Sequence, residues 1–141
     1  MKNFSYSDIH DALIHGISFK VEDWVSELHL DIDVPISTIE SAHRCRFLVA
    51  KANLRFENVT DLVVHVDWGG SGYSQAVSGP FVVEISREPV ESMIRTPQYY
   101  KWMLRMADQK SFISLGASQA NLVVGEPVEV DRQYLFANER I

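Results

Sequence analysis

Two strand-like stretches place imidazole and carboxylate side chains at matched spacing. His29 and Asp31 lie two residues apart, and so do His65 and Asp67. In extended backbone such pairs point to one face. If their strands were neighbours, His29, Asp31, His65 and Asp67 would form a His/carboxylate set suited to a divalent metal. The same residues also read as the solvated faces of two amphipathic strands, with no metal. A second group, Trp24, Asp31, Asp33 and Tyr73, combines exposed aromatics with carboxylates and suits a protein-docking surface. His10-Asp11 reads as a turn preceding the first strand, with Asp8 or Asp11 capping it.

Other chemistry is not supported. Gly69-Gly70-Ser71-Gly72 lacks the following Lys of a phosphate-cradling loop and the final Gly of a nucleophile elbow, since Tyr73 stands there. It reads as a flexible connection. The chain has one cysteine, Cys45, which excludes an internal disulfide and a multi-thiolate zinc cluster. Cys45 follows His43-Arg44 and precedes Arg46; it is expected to be a small buried residue at a strand start. No cofactor is expected.

The elements that must position these residues follow from hydropathy alternation. Leu28-His29-Leu30-Asp31-Ile32-Asp33-Val34 is apolar at every even position, the pattern of a strand with one face on a core. Leu13 to Val21 reads as its hairpin partner across Glu22-Asp23-Trp24. Pro35 is expected to end the strand. Ile36 to Arg44 is then either a short helix capped by Ser37 or an irregular crossover. Leu48 to Phe56 and Leu62 to Trp68 form a second hairpin candidate around Glu57–Asp61. Phe81 to Ile85 is a short strand closed by Glu88-Pro89. Residues 90–107 are ambiguous: Thr96-Pro97 could open a helix, but Tyr100, Trp102, Leu104 and Met106 alternate with Lys101, Met103 and Arg105, so the segment is assigned to a strand. Ser111 to Val124 and Val128 to Leu135 follow, split by Gly125-Glu126-Pro127. Trp68 and Trp102 are expected in the core and Trp24 at an exposed turn.

These segments predict one β-rich domain over residues 1–141, an antiparallel sandwich or barrel of about eight strands with one or two short helices. Hydrophobic residues make up 46% of the 141-residue chain, enough for a sizeable core. The net charge of -6 disfavours nucleic acid and favours a basic protein partner. No apolar run spans a membrane, so a cytoplasmic location is expected. Self-association is a third reading beside a protein-binding domain and a small metal- or ligand-binding barrel.

The segment Ile9-His10-Asp11-Ala12-Leu13-Ile14, and later Leu54-Arg55-Phe56-Glu57-Asn58-Val59-Thr60-Asp61-Leu62, resembles a group of small β-rich bacterial proteins. Those proteins open on a Leu-His-Asp-Ala-like element and carry an L-x-F-x-x-V-x-x-L segment. Ile9 stands where they have Leu, and nothing from Gly69 onward matches. Some of them are immunity-protein-like, so the resemblance implies a non-enzymatic inhibitor of a toxin domain and transfers no functional residues.

Overall fold

The computed structural model describes residues 9–41, 44–67, 81–91 and 98–140. Eight strands form in chain order: β1 (Leu13–Glu22), β2 (Val25–Ser41), β3 (Arg44–Glu57), β4 (Thr60–His65), β5 (Val82–Pro89), β6 (Tyr100–Met106), β7 (Phe112–Ala117) and β8 (Gln119–Val130). They build two antiparallel sheets of four strands, ordered β1-β2-β3-β8 and β4-β7-β6-β5, which is a β-sandwich.

The period-two pattern sets the core. Leu28, Leu30, Ile32, Leu54, Phe56 and Leu122 of the first sheet face Trp102, Leu104, Ile113 and Leu115 of the second. All are essentially without solvent contact. Phe56 and Trp102 meet edge-to-face with ring centroids 5.3 Å apart, the arrangement that aromatic quadrupoles prefer. The expected first hairpin forms, with Leu28 opposite Phe19 and Leu30 opposite Ile17. Asp23 and Trp24 take left-handed backbone at its tip.

Several expectations are corrected. Pro35 does not end β2, which runs on to Ser41 paired with β3, so neither a helix nor an irregular crossover occupies 36–41. The cause is local: β1 accompanies β2 only as far as the Leu13–Asp33 pair, and a register shift follows Pro35. A proline there forfeits no ladder bond on the uncovered side. Pro127 is absorbed likewise. It sits in β8, an outer strand, beside a register shift between Ala50 and Ala52 of β3, so Gly125–Pro127 does not break the strand.

The second expected hairpin does not form either. β3 has both edges taken, by β2 and β8. The chain therefore leaves the first sheet at Asn58, in left-handed backbone, and β4 joins the second sheet against β7. The expected strand over Ser111 to Val124 divides at Ser118 and crosses back. The two crossings share a corner: Ser118 N–H donates to the Glu57 carbonyl (2.9 Å), and Asn58 Nδ2 donates to Ser118 Oγ (2.8 Å). Among the described residues no further strand follows β8. Residues 131–140 cross the outer face of the first sheet and include a short 3-10 helix at Ala137–Glu139. Leu135 is buried there with Val49 and Val130 in a second, smaller apolar cluster. Cys45 is exposed rather than buried.

Candidate functional site

The four residues of the metal hypothesis are not brought together. His29 and Asp31 lie on β2 of the first sheet, whereas His65 ends β4 of the second and Asp67 follows it. Each is engaged locally. His29 Nε2 bonds to Glu27 Oε2 (2.8 Å). Asp31 accepts from Arg140 Nη2. His65 stacks on Phe112 with centroids 5.5 Å apart. The Asp67 N–H donates to Ser111 Oγ (2.8 Å). Among the described residues no group of three or more His, Cys, Asp and Glu is placed to hold a metal ion.

The docking candidates divide as well. Trp24 is 99% exposed at the hairpin tip, as expected. Asp33 is wholly buried and cannot meet a partner. Tyr73 lies outside the described residues, as do Trp68, Asp8 and the glycine loop.

Asp33 is instead the hub of a structural clasp that the sequence did not reveal. Its Oδ2 accepts from the Leu135 N–H (2.7 Å) and from His15 Nε2 (2.5 Å), and its Oδ1 from Arg140 Nη1. His15 occupies the β-bulge between Ile14 and Gly16, which re-aims its side chain. Burial, and next the Arg140 guanidinium, hold the His15 pKa below its ordinary value against an upward pull from Asp31. Although a carboxylate 2.5 Å away favours imidazolium, the charge of Asp33 is already matched by Arg140. His15 is therefore neutral and donates from Nε2. Every carboxylate oxygen of Asp33 is satisfied, which makes burying the charge tolerable. Nothing in the local sequence around Asp33 signals this, because its partners lie 18 and 107 positions away.

The surface feature best suited to recognition lies on the second sheet, near the corner where the chain changes sheets. An open cleft of about 560 Å³ is lined by Thr60, Asp61, Glu91, Tyr99, Tyr100 and Lys101, among others. That volume is within the range of ordinary ligand sites. Its geometry comes from a register shift in β4 between Thr60 and Val63, with Asp61 in left-handed backbone at φ 52, a conformation rare outside glycine. The Tyr99 hydroxyl lies within hydrogen-bond distance of the Asn58 carbonyl (2.9 Å) and of Thr60 Oγ1 (2.5 Å), and Thr60 Oγ1 lies 3.1 Å from Asp61 Oδ2, so the three groups share the two hydroxyl protons. Gly116 is required beneath them. A Cβ there would lie 2.7 Å from Thr60 Oγ1 and 2.9 Å from the Tyr99 ring. Arg87 rests 4.1 Å from the centre of the Tyr100 ring, so one wall of the cleft already carries a stacked guanidinium. Asp61 and Glu91 are therefore accompanied by two cations, Lys101 in the lining and Arg87 against the Tyr100 ring. Sequence reasoning placed Tyr100 on a strand but gave the cleft no attention, since β4, β5, β6 and β7 contribute to it from separate parts of the chain.

No family model matches this chain, and neither does any curated protein or solved structure. The reading of function therefore rests on geometry and chemistry alone. No helix among the described residues is long and apolar enough to cross a membrane.

Proposed function

We propose that this chain is a non-enzymatic recognition domain that holds a basic protein partner, taking a cationic side chain of that partner into the cleft between Asp61, Glu91 and the two tyrosines. The observation that carries this reading is the composition of the cleft: two carboxylates and two tyrosines line an open volume of about 560 Å³. Carboxylates satisfy a guanidinium or ammonium by charge-assisted bonds, and the Arg87 guanidinium already stacked on Tyr100 shows that this aromatic wall takes such a group. The net charge of -6 adds long-range attraction for a basic surface. An immunity-like inhibitor of a bacterial toxin domain is the specific form suggested by the resemblance in the first half of the chain.

A photo-crosslinking residue at Lys101 in the cleft, compared with one at the exposed Val123 on β8, tests the reading. The expected result is a covalent adduct with a basic protein from position 101 only, lost when Asp61→Lys and Glu91→Lys are combined. An adduct of equal yield from both positions, or one indifferent to the charge reversal, contradicts it.

A further inference from the structure

The C-terminal segment 131–140 is held to the first sheet at few points. Among the described residues no backbone–backbone hydrogen bond joins it to a strand. Its polar attachments converge on two carboxylates of β2: the Leu135 N–H and Arg140 Nη1 donate to Asp33, and Arg140 Nη2 to Asp31. Its apolar attachments are Leu135, buried against Val49 and Val130, and Tyr134, whose ring meets Phe81 edge-to-face at 6.2 Å. Within itself the segment is braced. The Arg132 guanidinium lies 3.6 Å from the centre of the Phe136 ring and pairs with Glu139, which also accepts from the Phe136 N–H (2.7 Å). A unit stiff within and tied down at few points opens at a lower free energy than the domain unfolds.

A second cation carrier stands at the same carboxylate. His15 reaches Asp33 Oδ2 from β1 (2.5 Å), on the opposite side of the clasp from the segment. While Arg140 is in place, burial and the guanidinium keep the imidazole neutral. Both causes lapse if the segment leaves. Asp33 then has no guanidinium, and a lone carboxylate at this distance draws a proton onto the imidazole. Asp31, relieved of the same guanidinium, pulls in the same direction.

We propose that the Arg140 guanidinium and a proton on His15 are alternative counter-ions of Asp33, so that residues 131–140 form a strap released by acid. The docked strap holds the His15 pKa below its ordinary value. The undocked state therefore binds the proton more tightly, and falling pH populates it. The other charged or titratable groups around His15 lie on different elements: Asp31 on β2, Lys51 opposite Asp33 on β3, and His65 of β4 in the lining of the groove beside His15. Of all these groups only Arg140 travels with the strap. Release uncovers Asp33, Val49 and Val130, which are buried while the strap is docked.

Hydrogen exchange of the full chain, read residue by residue by NMR and corrected for intrinsic rates, tests the proposal at about pH 7.5 and about pH 5.5, on either side of the ordinary histidine range. The Leu135 N–H should exchange far faster than that of Leu54 in the core, through an opening of its own. Acidification should lower its protection on the order of tenfold, an ordinary size for coupling between two sites. His15→Gln keeps a donor for Asp33 but takes up no proton, and should abolish this response. His65→Gln, which touches none of the strap's attachments, should preserve it. The coupling is reciprocal, so Arg140→Gln should raise the His15 pKa, read from the imidazole signals in a pH titration. A role confined to stability would leave that titration unmoved. Should the arginine variant not fold, the comparison of the unsubstituted chain with His15→Gln still decides. Leu135 exchanging in step with Leu54, a response that survives His15→Gln or is lost in His65→Gln, or a His15 titration indifferent to Arg140→Gln overturns the proposal.

Discussion

Asp33 shows how far one side chain can depart from its place in a pattern. It occupies a polar position of an amphipathic strand, which ordinarily means solvent. Here the C-terminal segment covers it, and Arg140, His15 and the Leu135 N–H satisfy it. Arg140→Ala leaves a buried carboxylate without its cation and should cost about 3–5 kcal/mol of stability, read by urea denaturation at pH 7. A change below about 1 kcal/mol would show that the clasp is not holding the segment. His15 adds a pH dependence. Its folded pKa lies below its ordinary value, so the unfolded chain binds the proton more readily. Its contribution is complete above the ordinary histidine range and is lost as pH falls toward the depressed folded value. His15→Gln should therefore flatten the decline in stability between about pH 7 and pH 5. An unaltered slope would assign that decline to other groups.

At the scale of elements, alternation was legible wherever a strand has one face on the core. Leu28 to Val34, Leu48 to Phe56 and Tyr100 to Met106 were placed from spacing alone, and Trp102 was correctly expected inside. Pairing was not legible, because alternation specifies a face and not a neighbour. The hairpin expected between Leu48 and Trp68 depended on sequence adjacency, but β3 was already flanked on both sides. Prolines misled for a related reason: Pro35 and Pro127 lie in strands, at places where one edge has no partner and a bulge absorbs the missing donor. The cleft was least legible, since its lining comes from turns and strand ends distant in sequence. It depends on close packing at the crossing corner. Gly116→Ala would press on Thr60 and Tyr99 and should destabilise the domain by about 1–3 kcal/mol, the usual cost of overpacking. Thermal unfolding checks this, and an unchanged midpoint would mean that the corner yields easily.

For the molecule as a whole, the groove beside β1 and the cleft at the crossing corner have different chemistry and different addresses. The apolar edge of β1 meets the second sheet where β4 ends at His65 and β7 begins at Phe112. The aromatic cleft with its two carboxylates lies toward the opposite ends of those strands, at Thr60 and Gly116. The net charge of -6 was legible at once. Which carboxylates share a cleft was not, because acidic residues occur along the whole chain and only the fold brings Asp61 and Glu91 to the same lining. The most direct test is a heteronuclear NMR titration of the full chain with N-acetyl-arginine methylamide. Saturable shifts confined to Thr60, Asp61, Glu91, Tyr99 and Lys101, abolished by Asp61→Lys with Glu91→Lys, are the expected result; shifts spread evenly over exposed carboxylates such as Glu84, Glu126 and Glu129 would contradict it.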